Sequence, residues 1–263
     1  LFIFAIALLS GPVSANDLSM TAVKDTLASI PGEHNYIYVR TPLGEDEEKN
    51  YDEITFYDGL GRELDFAQSY GADRAGAIMA HHHLIEYDSL GRKEKQWLST
   101  NTSFSYMSPE DLKGGVLWDY HDAGKRSYLQ TNYESSPLNR ITEQYGVGDA
   151  WGDHPARMEY LTNIPADSLR CSFYFIDDND SLIRRGDYRS GELQVTKATD
   201  EDGKPTYTFV DKQGRTLLTR LGRGNQQADT YFVFDRFGRI RYVLPPMIND
   251  EISAGNLDLY AYQ

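Results

Sequence analysis

The sequence predicts a mostly β chain: antiparallel meanders of tight hairpins forming a curved sheet, with few short helices. Three observations predict it. The pattern Asp-x-x-Gly-Arg occurs four times, opening at Asp58, Asp88, Asp211 and Asp235. Aromatic residues make up 13% of the chain, with 19 Tyr, a composition that suits strands better than helices. Apolar residues flank the repeats, with Ile54, Phe56, Leu64 and Phe66 around the first and Val233, Ile240, Tyr242 and Leu244 around the last. Internal repetition of this kind points to an array architecture.

Each repeat reads as a hairpin turn. Asp at the first position bonds its carboxylate to backbone N–H groups two or three residues on. Gly three positions later supplies the left-handed conformation that closes a type I turn with a one-residue bulge. The turn residues are therefore Asp58, Gly61 and Arg62; Asp88, Gly91 and Arg92; Asp211, Gly214 and Arg215; and Asp235, Gly238 and Arg239. An aromatic residue usually precedes Asp. This places that ring and the Arg of the same turn opposite one another across the ladder, where a guanidinium lies on a ring face. Asp200-Glu201-Asp202-Gly203-Lys204 is a degenerate fifth copy, with Lys in the Arg place.

Along the chain, residues 1–15 read as a truncated secretory signal. An apolar run, Leu1 to Leu9, leads to Val13-Ser14-Ala15, which suits signal peptidase. The run is too short to span a bilayer, so the mature chain is expected to hold no membrane span. Residues 16–34 read as a linker or short helix. Asn35 to Thr41 is a strand, and Glu45 to Asn50 is an acidic loop. Strands follow at Glu53–Tyr57, Arg62–Gln68, Ala77–Tyr87 and Arg92–Leu98, giving a hairpin array over 35–98. The middle, 99–191, lacks clear repeats; Trp118 and Trp151 read as core or interface fillers, and a strand follows the lone Cys171. A second array covers 192–246, with strands at Leu193–Thr199, Thr206–Val210, Arg215–Leu221, Tyr231–Phe234 and Ile240–Leu244. Pro245 and Pro246 stop the sheet. Residues 251–263 start a downstream segment.

Charge and composition exclude several classes. The formal net charge is -14, which argues against nucleic acid and anionic membrane surfaces. One cysteine gives no disulfide framework and, without a partner His, no nucleophile. His81-His82-His83 is the cluster that tempts: in a strand His81 and His83 share a face, the spacing of two zinc ligands, but no third ligand is identifiable. Asp177 to Ser181 lacks the Gly and Glu of a calcium loop and reads as an acidic turn. Gly146-Val147-Gly148 lacks the lysine and helix of a phosphate loop. No catalytic residue and no cofactor is assigned.

Several short motifs follow one another in a fixed order: Asn35-Tyr36-Ile37-Tyr38, Tyr57-Asp58-Gly59-Leu60-Gly61-Arg62, Ser136-Pro137-Leu138-Asn139-Arg140, Tyr160-Leu161-Thr162-Asn163, Val195-Thr196-Lys197, Asp211-Lys212-Gln213-Gly214-Arg215 and Val243-Leu244-Pro245-Pro246. With the repeated Tyr-Asp-x-x-Gly-Arg, this resembles the rearrangement-hotspot (RHS), or YD-repeat, proteins. The run of motifs looks like the domain of unknown function found near the N-terminus of very large secreted Gram-negative members, over about residues 35–250. The resemblance implies an RHS-like β-shell that encloses a variable C-terminal toxin. It implies as partners the downstream RHS core and toxin region of the same polypeptide, and a secreted or cell-surface location. The departures are Val210 in the aromatic place of the third copy and Lys204-Pro205 in the fifth. The sequence thus reads as a non-enzymatic structural module. Two rivals stay open: a module binding a surface glycan through exposed Tyr and Trp, with Trp118 and Trp151 as platforms, and a glycosidase built on paired carboxylates.

Overall fold

The computed structural model describes residues 30–42, 50–74, 77–121, 124–223 and 226–248, with Lys24, Leu27, Ala28, Ile252, Ser253 and Leu257. The signal segment 1–15, most of the linker 16–34, the acidic loop over 45–49 and most of the tail 251–263 lie outside the described residues. The chain is mostly β and antiparallel. It divides into two compact units: unit 1 comprises 1–132 and 145–153, and unit 2 comprises 133–144 and 154–263.

In unit 1 the first four strands are β1 (Asn35–Pro42), β2 (Asn50–Tyr57), β3 (Glu63–Ala72) and β4 (Ile78–Tyr87), each paired with the next. Strands β5 (Lys93–Trp97) and β6 (Thr100–Ser103) both pair with β4, one after the other, so that they act as a single strand broken at Leu98 and Ser99. β7 (Tyr128–Tyr133) joins β5. Helix α1 (Pro109–Asp119) packs on β6 and β4. Its start follows from local chemistry: the Ser108 hydroxyl accepts the Asp111 N–H at 3.1 Å and Pro109 occupies the first turn. Leu112 and Val116, four apart, face inward. Gly115 is required by close approach, because a Cβ there would lie 2.7 Å from the Thr100 hydroxyl.

Alternation in β2 buries Asn50, Asp52, Ile54 and Phe56. On β3 it buries Asp65, Ala67 and Ser69, so Leu64 and Phe66 take the other face. The apolar core of unit 1 gathers Tyr38, Ile54, Phe56, Ala67, Ile78, Ala80 and Phe104.

In unit 2 the strands are β8 (Ile141–Tyr145), β9 (Ala156–Thr162), β10 (Ser172–Ile176), β11 (Leu182–Asp187), β12 (Gln194–Thr199), β13 (Pro205–Val210), β14 (Thr216–Arg223), β15 (Gln226–Phe234) and β16 (Ile240–Leu244). The sheet runs β8-β9-β12-β13-β14-β15-β16, and β10–β11 form a separate hairpin inserted between β9 and β12. β1 and β16 are edge strands, so the sheets stay open rather than closing into barrels. The core is apolar and ring-rich, with Tyr174, Leu193, Val195, Tyr207, Phe209, Leu218, Tyr231, Val233 and Leu244 among its buried members. Cys171 is buried there, its thiol facing the Ser172 carbonyl oxygen at 3.7 Å.

Two readings of the middle change. The eleven residues of α1 were not legible as a helix, because Gly114 and Gly115 sit in its centre. Trp118 is 83% and Trp151 47% exposed, so neither fills a core.

Candidate functional site

The repeated turns are the most regular structure in the molecule, and their geometry is set within five residues. In all four copies the Asp N–H donates to the Arg carbonyl at 2.9–3.0 Å, and the Gly N–H donates to the Asp carbonyl at 3.0 Å. Gly61, Gly91, Gly214 and Gly238 have φ of 78°, 81°, 79° and 79°, the left-handed region open to glycine. The ladder slips by one residue beside each turn, between Phe56 and Tyr57, Glu86 and Tyr87, Phe209 and Val210, and Val233 and Phe234. These bulges bend the strands and sharpen their twist.

The Asp carboxylate is fully spent. One oxygen accepts the N–H groups two and four residues on, at 2.8–3.0 Å in every copy. The other accepts the Arg Nε, at 2.7 Å in the first two copies and 2.8 and 2.9 Å in the last two. The Arg62 N–H holds Asp58 below the usual carboxylate range, and the Arg239 N–H does the same for Asp235. At Asp88 and Asp211 burial pushes the carboxyl up, but the N–H and guanidinium of Arg92 and Arg215 outweigh it and the net shift is downward. No oxygen is left over for acid or base work.

Two of the arginines lie not on the ring that precedes their own Asp but on the one that opens the next turn. Arg62 stacks on Tyr87, the aromatic of the next copy, with 4.5 Å from guanidinium carbon to ring centre. Arg215 likewise covers Phe234 at 5.0 Å. A Cβ on Gly91 would come 3.1 Å from an Arg62 nitrogen, so adjacent tips are in contact. Arg62 and Arg215 thus close their own turns through Asp and reach forward to the next, whereas Arg239 lies over Phe237 of its own turn at 5.2 Å.

Three further turns share the frame. Asp200-Gly203-Lys204 repeats the backbone bonds, but the Lys204 amine pairs with Asp202 instead of Asp200. Asp177 to Ser181 does so with Asp180 at φ 60° in the glycine place. Glu134 to Arg140 is a longer version. Asn139 has φ 54°, Arg140 pairs with Glu134 through both oxygens, and Arg140 stacks on Tyr160 at 4.5 Å. The Arg140 guanidinium, with the Ser136 hydroxyl, brings the Glu134 carboxyl down to about 2. The signal in sequence was an acid after Tyr133 and a residue tolerant of positive φ before Arg140, spaced two residues too far for the repeat pattern.

Of the histidines, His81 and His83 lie on the outer side of β4, where His81 stacks on Tyr70 at 4.4 Å and His83 faces Phe66 at 6.3 Å. Among the described residues no group of three or more His, Cys, Asp or Glu is placed to hold a metal ion. His82 points inward and is buried. Its Nδ1 lies 2.6 Å from Asp65 and its Nε2 2.9 Å from the Ser103 carbonyl oxygen. Both ring nitrogens face acceptors, so neither offers a lone pair to a substrate, and the Ser103 hydroxyl is bonded to Ser105. The pair has the composition of a catalytic dyad and the geometry of an interior brace.

Two other braces are visible only in three dimensions. Asp52, 0% exposed, accepts the Tyr38 hydroxyl at 2.5 Å and Arg40 at 2.7 and 2.8 Å. Burial, reinforced by Asp52, pushes the Tyr38 phenol well above its ordinary value. In unit 2, buried Asn163 accepts the Leu193 N–H at 2.8 Å and donates to the Arg189 carbonyl at 2.8 Å, fixing the return from β11 to β12.

The family described as a domain of unknown function (DUF6443) matches residues 35–162, just under half of the chain. No curated protein matches the sequence. Two solved structures are similar over most of it. The crystal structure of TcdB2-TccC3-Cdc42 aligns at 15% identity and TM-score 0.49, covering 82% of this chain and 10% of that one. That of TcdB2-TccC3 aligns at 14% identity and TM-score 0.48, with the same coverage. The chain therefore spans about a tenth of the length of those it matches.

Proposed function

We propose that the chain is a non-enzymatic wall segment of a secreted or surface-exposed RHS-type protein, in which hairpins repeat to extend a sheet. The observation that carries this is the forward reach of arginine. All four Asp-x-x-Gly-Arg turns are closed by their own carboxylate, and at two of them, Arg62 and Arg215, the guanidinium also lies on the ring that opens the following turn. A unit that is both self-closing and linked to its neighbour is what a growing sheet needs. The ordered motifs from Asn35 to Pro246 support the same reading, as does the family match over 35–162. On this reading the partners are the downstream repeat core and a C-terminal toxin region of the same polypeptide, and export uses the segment at residues 1–15. The turn carboxylates are scaffold, because every oxygen is occupied by the turn itself.

The test uses the natural polypeptide with and without residues 35–248. Intact, its C-terminal region resists added protease inside an enclosing wall visible by electron microscopy; lacking the segment, that region is cut. Equal protection in both forms would reject the wall role.

A glycan-binding reading has one observation in its favour, the 83% exposure of Trp118 on α1. It requires saturable binding on a glycan array that disappears in Trp118→Ala.

A further inference from the structure

We infer that His82 and Asp65 form a proton-operated clasp, in which one buried proton holds strand β6, and with it helix α1, against strands β3 and β4. Both residues are interior, with the His82 and Asp65 side chains 0% and 2% exposed. Nδ1 of the ring lies 2.6 Å from one Asp65 oxygen, and Nε2 lies 2.9 Å from the Ser103 carbonyl oxygen. A carbonyl and an ionised carboxylate only accept, so each contact needs a hydrogen from the ring. A neutral imidazole has one to give and the imidazolium has two. The closed arrangement therefore contains one proton more than a neutral ring beside an ionised acid. Placing that proton on Asp65 instead leaves the count unchanged. The other Asp65 oxygen is buried and has no hydrogen-bond partner among the described residues, so the clasp proton is what offsets the acid. A buried carboxylate without such an offset is costly.

The titratable groups on the neighbouring elements do not take the proton's place. His81 and His83 stand on the other face of β4. Asp52 of β2, on the same face of the sheet as Asp65, is tied to Tyr38 and Arg40. Tyr106, in the segment after β6, is acted on by Asp65 together with Glu110 of α1 and Glu33 ahead of β1, which add negative charge and not positive. On α1, Lys113 is paired with Glu86, and Asp119 accepts the Thr100 hydroxyl.

The segment behind the clasp has few other ties. β6 is 4 residues long, and among the described strands it pairs with β4 alone. Ser103 ends it; Phe104 then enters the core and Ser108 opens α1. Thr100, opposite His82 in the ladder, bonds to Asp119 at the end of α1 at 2.7 Å and lies against Gly115 in its centre. Loss of the proton turns a ring lone pair toward an oxygen, which leaves the Ser103 carbonyl or the Asp65 carboxylate unsatisfied in the interior. β6 and α1 then open together, ahead of the rest of unit 1. Once they open, His82 meets water and keeps its proton only below the ordinary histidine value of about 6.5. Opening is therefore hardest below that pH and becomes easier above it, by about tenfold per pH unit for one proton.

The test is hydrogen exchange of the 263-residue chain at a series of pH values from about 6 to about 9, corrected for the intrinsic pH dependence of exchange. Protection over residues 100–119 is expected to fall by about tenfold per pH unit above about pH 6.5, while protection of β1 and β2 stays level. The ring nitrogen signals of His82 should change over the same range, a readout that needs no substitution. Asp65→Asn separates the proton from the packing. The new amide donates to Nδ1 and the neutral ring donates to the Ser103 carbonyl, so both contacts survive without the extra proton. In that variant protection over 100–119 should be level above about pH 6.5. Four results would overturn the clasp: protection over 100–119 in the wild-type chain that does not change with pH; a fall with no accompanying change in the His82 ring signals; the same fall in Asp65→Asn; or an equal fall over β1 and β2, with unit 1 opening as a whole.

Discussion

Unit 1 and unit 2 use the same turn and fill the space behind it differently. Unit 1 puts charge into its interior: Asp52 bonded to Tyr38 and Arg40, and Asp65 against His82, on the core-facing sides of β2, β3 and β4. Unit 2 fills its interior with rings and aliphatic side chains, Phe209, Leu218, Tyr231 and Leu244 among them. Its buried guanidinium, Arg220, pairs with Asp229 and holds the Ser168 and Arg170 carbonyls of the loop before β10. The contrast separates two roles. The turn fixes register and says nothing about what is packed; the packing of each unit is its own solution. In unit 1 the polar braces connect specific neighbours, β1 to β2 and β3 to β4 and β6, and so select one pairing out of the many that an array of similar strands allows.

Breaking a brace should produce the largest effect. Asp52→Ala strands the Arg40 guanidinium and the Tyr38 hydroxyl in the interior, and about 4 kcal/mol of stability is expected to be lost. Hydrogen exchange should show it at β1 and β2. The triple change Tyr38→Phe, Arg40→Met, Asp52→Leu removes all three partners at once and should recover most of that loss. If it does not, the brace supplies stability as well as pairing.

The matching break in unit 2 is Phe209→Ala, which removes a fully buried ring lying 5.6 Å from the Arg220 guanidinium and leaves the Arg220–Asp229 pair in place. Lost burial and the cavity left behind predict about 3–4 kcal/mol, with exchange rising at β13 and β14 and no dependence on pH between 5 and 9. Asn163→Ala comes next. It leaves the buried Leu193 N–H without its acceptor and the Arg189 carbonyl without its donor, for about 2 kcal/mol. It should loosen residues 188–193 before the sheet.

Changes in the shared turn should then cost the same in both units. Gly61→Ala and Gly214→Ala force a side chain into the left-handed region, and about 1 kcal/mol is expected for each. Thermal melting checks this. A large difference between the two would mean that turn and core are coupled after all.

The smallest effect is a pH dependence. The Asp58, Asp88, Asp211 and Asp235 carboxyls lie below their ordinary value in the folded chain. The unfolded chain therefore takes up protons first as the pH falls. The stability these groups contribute is complete above about pH 4 and fades as pH drops through their folded values. Asp→Asn at all four positions should flatten the acid side of the stability curve, because the amide oxygen still accepts the turn N–H groups and has no charge to lose.

The sequence by itself determined everything that is decided within five residues. The turns at Asp58, Asp88, Asp211 and Asp235, the glycines at positive φ and the strands on either side follow from local bonds that need no partner elsewhere. It also held the Ser108-Pro109 start of α1, hidden by two glycines, of which Gly115 is explained by its contact with Thr100. Tertiary structure alone decided where the arginines reach, which faces turn inward and which residues meet. Arg62 lands on Tyr87 and not on Tyr57 because neighbouring hairpins bring their tips together. Asp65 and His82 are interior although Phe66 and His83 beside them are not. Alternation divides a strand into two faces, but only the elements packed against it decide which face is buried.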